Sequence, residues 1–222
     1  MHSRLALARI DRKDFMNPLS SITFNEKMSG PFAHGFTDPE KGAESGRTQN
    51  SSFTMHATIS VADLDAFGAD PNHTGQLVAT VDYTPFGEGI QASHGVFKLF
   101  TPPDASGTKN MVYNFVIQHD GADYFFHGQK DVRNDAGGLD LWKDTTTLYS
   151  ALHRGTDRSG PIVAAGILSL GLADVIGLVS TMRAMDGGGV QETAMAIGKF
   201  GRIFMGALWD TYSKHLGLGL AK

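Results

Sequence analysis

Between Met111 and Val132, two runs rich in β-branched and aromatic residues flank the dipeptide Asp120-Gly121. Asp-Gly tolerates the positive φ angles of a two-residue type I′ turn, whose twist matches that of paired strands. The turn therefore predicts a register as well as a hairpin. His119 faces Ala122, and each outward step adds a pair. Successive side chains point to opposite faces. One face then carries Ile117/Tyr124, Phe115/Phe126, Tyr113/Gly128 and Met111/Lys130, nearly all apolar. The other carries Gln118/Asp123, Val116/Phe125, Asn114/His127 and Val112/Gln129, a mixture of apolar and hydrogen-bonding groups.

A second turn follows at Arg133 to Gly138, rich in residues that accept positive φ. The next predicted strand runs from Leu139 to Tyr149. With Val132 set opposite Leu139, Gln129 faces Trp142 and His127 faces Asp144. Asn114, His127 and Asp144 then form a polar row across three strands, with Trp142 beside it. A slip of one residue reverses every side chain.

Elsewhere the chain alternates short strands with turn signals. Ser52–Val61, Gly75–Thr84, Gly89–Phe100 and Pro161–Ser169 read as strands, and Ala62–Ala69 as a short helix ended by Asp70-Pro71. Residues 1–50 read as irregular, because Ser29-Gly30-Pro31, Asp38-Pro39 and the glycine-containing run Lys41 to Arg47 are loop-like. Leu172–Met185 reads as a helix with Val175, Leu178, Val179 and Met182 on one face. A final helix runs from Val190 to about His215. About seven strands in sequential order, with no βαβ alternation, predict a mainly β (α+β) fold. The expectation is an antiparallel meander barrel or strongly curved sheet, lipocalin-like in architecture, with a C-terminal helical segment packed on it or plugging it. One structural domain is expected: an irregular segment over 1–50, the barrel over 51–170 and helices over 171–222.

Bulk properties exclude several functions. With a formal charge of −4 and no block of basic residues, nucleic-acid binding is not expected, since phosphate neutralisation needs clustered Lys and Arg. The absence of cysteine removes disulfides, thiol nucleophiles and Cys-ligated metals. The longest apolar stretch, Pro161 to Val179, is interrupted by Gly166, Gly171, Asp174 and Gly177, which argues against a membrane span. The residues Met1 to Lys13 hold too short an apolar run for a signal peptide. A soluble, cytoplasmic protein is the expectation.

From Thr23 onward several segments carry a resemblance: Phe24 to Gly30, Asp63-Leu64-Asp65 with Asp70 to His73, and Gly95 to Phe100. Others are Gly128 to Asp135, Asp140 to Leu148, Lys199 to Phe204 and Leu208-Trp209-Asp210. The chain resembles an accessory region found in actinobacterial-type fusion proteins. That region lies beside glucose–methanol–choline oxidoreductase modules of the cholesterol-oxidase type, sometimes with an α/β-hydrolase module. The resemblance implies an accessory role near lipid or sterol metabolism, with an oxidoreductase or hydrolase as partner. It brings no catalytic residues. The dinucleotide-binding glycine motif of the flavin domain does not occur in this sequence, so oxidase chemistry is not carried over.

The candidate site residues come from the double hairpin. A carboxylate at Asp144 can fix the tautomer of His127 and leave its other nitrogen as general base; the alternative is a satisfied polar patch. Lys130 can pin an anionic head group or serve as an amine nucleophile, or it can snorkel its charge to a rim or pair with a carboxylate such as Asp135. Trp142, Phe125 and Phe97 can line an apolar pocket or belong to ordinary core. No Gly-x-Ser-x-Gly motif places a serine nucleophile. The histidines show no His-x-x-x-His spacing, and neither a metal nor an organic cofactor is assigned. Three readings stand. The first is a barrel that binds a hydrophobic lipid-, sterol- or polyketide-like molecule, anchored by Asn114, His127, Gln129, Trp142 and Asp144 with Lys130 at the mouth. The second is a cofactor-independent isomerase, cyclase or hydrolase using His127 and Asp144. The third is a structural or docking domain with a filled barrel.

Overall fold

The computed structural model describes residues 20–103, 105, 108–132, 146–185 and 189–212. Eight antiparallel strands close into a barrel in which each strand pairs with its sequence neighbours and the last returns to the first. They are β1 (Ile22–His34), β2 (Ser52–Val61), β3 (Thr74–Tyr83), β4 (Gly87–Lys98), β5 (Lys109–His119), β6 (Ala122–Val132), β7 (Thr147–Arg154) and β8 (Ile162–Ser169). Helices α1 (Pro39–Gln49) and α2 (Leu64–Ala69) interrupt the first half, and α3 (Leu172–Thr181) and α4 (Val190–Tyr212) follow the last strand. Closure removes the exposed edges that an open sheet would present.

The β5–β6 hairpin has the predicted register at every pair from His119↔Ala122 outward. Its turn is the expected one, with φ of 48° at Asp120 and 71° at Gly121. Two expectations need correction. The segment read as irregular contains β1 and α1. The strand after β6 begins later than expected, and its register sets Tyr149 opposite Gln129 and Ala151 opposite His127. Trp142 and Asp144, assigned those places, lie outside the described residues.

The predicted apolar face is the barrel interior. At one end the interior is filled by rings. Phe126 stacks between Phe53 (5.0 Å) and Phe115 (4.5 Å), and Phe32 meets Tyr83 edge-on at 5.4 Å. Phe86, in the β3–β4 turn, closes this end by stacking on His119 at 4.1 Å. Gly128 belongs to this packing, because a Cβ there would sit 2.9 Å from the Phe126 ring and 2.8 Å from Leu148.

The other end is closed by helices. β1 pairs with β8 only over Ser29 to His34. Upstream of that, the free edge of β1 is taken by the chain leaving α3. The Thr23 amide donates to the Arg183 carbonyl (2.9 Å), the Arg183 amide donates back (3.0 Å), and the Asn25 amide donates to Thr181 Oγ1 (2.9 Å). Helix α4 then crosses the mouth. Its Phe200 ring meets Phe24 at 5.5 Å, Phe204 meets Phe100 at 5.4 Å, and Lys199 Nζ pairs with Asp65 on α2 at 2.6 Å. No helix among the described residues is long and apolar enough to cross a membrane.

Candidate functional site

Alternation along β1 turns Ile22, Phe24, Glu26 and Met28 inward, and all four are buried. The same rule turns Lys130 inward on β6 and Tyr113 inward on β5. Two opposite charges therefore meet inside the barrel from strands 104 residues apart. Lys130 Nζ donates to Glu26 Oε1 at 2.9 Å, with side-chain exposures of 1% and 3%. The Tyr113 hydroxyl donates to Glu26 Oε2, also at 2.9 Å. The ammonium stands 5.0 Å from the centroid of the Tyr113 ring. Burying two ions costs several kcal/mol each before their attraction is counted, and the pair persists only where further hydrogen bonds satisfy it. The phenol supplies one such bond. Burial, then the Glu26 charge and the hydrogen bond to it, raise Tyr113 well above the usual phenol range. Tyr113 therefore remains a donor.

Above this pair lies a cavity of about 400 Å³. Its walls are apolar: Phe97, Leu99 and Met111 from the barrel, and Met182, Ile197 and Phe204 from the segment covering the mouth. Among the described residues, Glu26, Lys130, Tyr113 and Thr146 supply its polar lining. Both Glu26 oxygens are engaged by donors. The carboxylate is thus held as a counter-ion. The arrangement can hold an apolar molecule and offer it a hydrogen-bond donor from a buried wall.

Of the residues expected at the site, Lys130 is there, paired with Glu26; Asp135 lies outside the described residues. Asn114, Phe125, His127 and Gln129 alternate with the inward residues and stand on the outer wall, where they line no part of this cavity. Asn114 and His127 do meet, with Nδ1 and Oδ1 2.8 Å apart. Gln129 instead donates to Asn110 (3.1 Å) and Asp131 (2.6 Å). His127 is buried on that wall, and its pKa falls to about 4, first through desolvation and then through the charges of Arg158 and His153. The register gives His127 Ala151 as its neighbour on β7, and Asp144, the expected partner of His127 in catalysis, lies outside the described residues.

Sequence reasoning missed Glu26, Tyr113 and Phe200 as site residues. A signal for Glu26 was present. It occupies an inward slot in an apolar series of period two, and a lone carboxylate in such a slot requires a buried partner.

A second cavity, about 510 Å³, is an open groove on the outside of β1 to β3 beside α3. Its polar rim includes His56, whose Nε2 lies 2.9 Å from Asp82; both side chains are more than a third exposed. Among the described residues no group of three or more His, Asp or Glu side chains could hold a metal ion. Compared with known family models, curated proteins and solved structures, the chain matches none.

Proposed function

We propose that this barrel binds a hydrophobic small molecule, of lipid, sterol or polyketide-like character, in the helix-capped mouth. The observation that carries the reading is the cavity of about 400 Å³, apolar on nearly every side, with a buried Glu26–Lys130–Tyr113 cluster on its wall. Small-molecule sites begin at roughly 300 Å³ and combine apolar walls with a few convergent polar groups. A barrel with a purely structural role would gain more by filling this space with side chains, as the opposite end does. An accessory role in lipid or sterol metabolism, beside an oxidoreductase or hydrolase, is the setting implied by the resemblance described above, and it belongs to this proposal.

The test uses the cavity's own geometry. Gly201 lines the cavity from α4, and a Cβ built there meets nothing within 4 Å. Gly201→Leu therefore adds bulk at the cavity wall from a Cβ that is free of contacts, and improves helix propensity. Nile red, a neutral lipophilic dye, is expected to bind the native protein. The variant is expected to bind it more weakly by about tenfold or more. Gly198→Leu, on the same helix but away from the cavity lining, is the control. Equal affinity in all three proteins sinks the reading. Native mass spectrometry of protein purified from cells provides the second measurement, with a retained lipophile expected in the native protein and lost in Gly201→Leu.

A further inference from the structure

The cluster on the cavity wall is electrically complete. One ammonium faces one carboxylate, and the phenol that bridges to the carboxylate is held in its neutral form. A ligand carrying its own charge would set an unpaired ion against side chains that are only 1% and 3% exposed, where desolvation is costly. Hydrogen-bonding capacity is nevertheless left over on the ammonium. An ammonium has three donors. Among the described residues, Lys130 Nζ spends one on Glu26 and makes one further contact, with the Tyr113 ring. The carboxylate already accepts from two partners. The site therefore has a charged donor to give, while each oxygen of its acceptor is already engaged once.

We propose that the mouth cavity selects uncharged lipophiles bearing a carbonyl or hydroxyl oxygen, which accepts a hydrogen bond from Lys130, and discriminates against carboxylates. This rests on the binding function proposed above and specifies its ligand class. A carboxylic acid can enter neutral only by taking up a proton. At neutral pH that lowers its affinity by a factor of about 500 for a group whose pKa is near 4.3. Entering as an anion, it instead crowds Glu26 with a second negative charge. The same reasoning gives the site a built-in converse. With Glu26 neutralised, the lone Lys130 cation lacks a counter-ion, and a ligand carboxylate can supply it.

The experiment compares dodecanol, decyl methyl ketone and dodecanoate, matched in chain length, as competitors of Nile red at neutral pH. In the native protein the alcohol and the ketone are expected to bind at least about tenfold more tightly than dodecanoate. In Glu26→Gln the order reverses, with dodecanoate favoured over dodecanol by about tenfold. Should Glu26→Gln not fold alone, dodecanoate, and not dodecanol, is expected to restore its native circular dichroism and raise its melting temperature. Equal or tighter binding of dodecanoate by the native protein overturns the selectivity and leaves the cavity as a binding site. An unchanged preference in Glu26→Gln, or no rescue by dodecanoate, overturns the role of the ion pair. Absence of competition by all three ligands removes the binding function as well.

Discussion

Glu26 and Lys130 are tolerated inside the barrel because each neutralises the other. Removing one leaves a buried charge without a counter-charge, which typically costs ~3–5 kcal/mol. Replacing both leaves no charge to compensate. We therefore expect Glu26→Gln and Lys130→Met each to lower stability by an amount of that order, and the double variant to be more stable than either single one. Urea denaturation of the four proteins checks this as a thermodynamic cycle; additive losses would show that the pair is not coupled. Lys130 was legible in the sequence because a confident turn fixed its strand, face and depth. Its partner was not, because no local signal links residue 26 to residue 130. The pairing arises only when closure brings β1 across from β6. On the outer wall, His127 gives a pH signature. Its folded-state pKa is about 4, below the ~6.5 of an unfolded chain. Between these values the unfolded state binds the proton and the folded state does not, so stability is full above pH 6.5 and falls as the pH drops. At pH 5 the loss from this group is about 2 kcal/mol. Comparing urea midpoints at pH 7.5 and pH 5 should show this drop in the native protein and its absence in His127→Gln.

At the scale of elements, turn chemistry was the more readable signal and close packing the less. The β5–β6 hairpin follows from one dipeptide. Helix α1 was missed because Gly42, Ser45 and Gly46 suggest a loop, yet its start is signalled by Asp38 followed by Pro39. Asp38 Oδ1 does accept from the Lys41 amide at 2.9 Å. The two glycines are required by how the helix docks. A Cβ on Gly42 would lie 2.1 Å from the carbonyl oxygen of Ala165, and one on Gly46 would lie 2.4 Å from the Phe32 amide nitrogen. Both obstacles are backbone and cannot rotate away. A contrast between helices follows. Gly42→Ala should destabilise the protein by about 2 kcal/mol, because α1 must lift from β8. Gly198→Ala on α4, whose Cβ meets nothing within 4 Å, should stabilise it by up to ~1 kcal/mol through helix propensity alone. Thermal melts decide between these signs, and a stabilising Gly42→Ala is the result that does not fit. β1 was hidden for a related reason. Glu26 and Gly30 break its apolar alternation, and each is explained by a partner remote in sequence: Lys130 for Glu26, and β8 for Gly30, where a Cβ would sit 2.0 Å from the Ile167 carbonyl oxygen.

For the molecule as a whole, the two ends of the barrel differ in how they are held. The aromatic end is packed within a continuous β-ladder, and its rings come from β1, β2, β3, β5 and β6. The mouth is covered by α4, whose described ties to the body are made by its side chains, among them ring contacts at Phe200 and Phe204, the Lys199–Asp65 pair and the Thr193 hydroxyl that accepts from the Ala184 amide. Asp65 is mostly exposed, so that pair contributes at most about 1 kcal/mol. A helix fastened by side chains alone can open without disturbing the strands. Such opening also gives a ligand a route to a cavity whose wall is buried. Amides of α4 should therefore exchange with deuterium well before those of β5 and β6 in the free protein. Saturating dodecanol should slow the α4 group, and Gly201→Leu, whose cavity is filled, should not respond. Protection of α4 equal to that of the central hairpin in the free protein would mean that the cap opens only with global unfolding. Access to the cavity would then require a route other than the mouth.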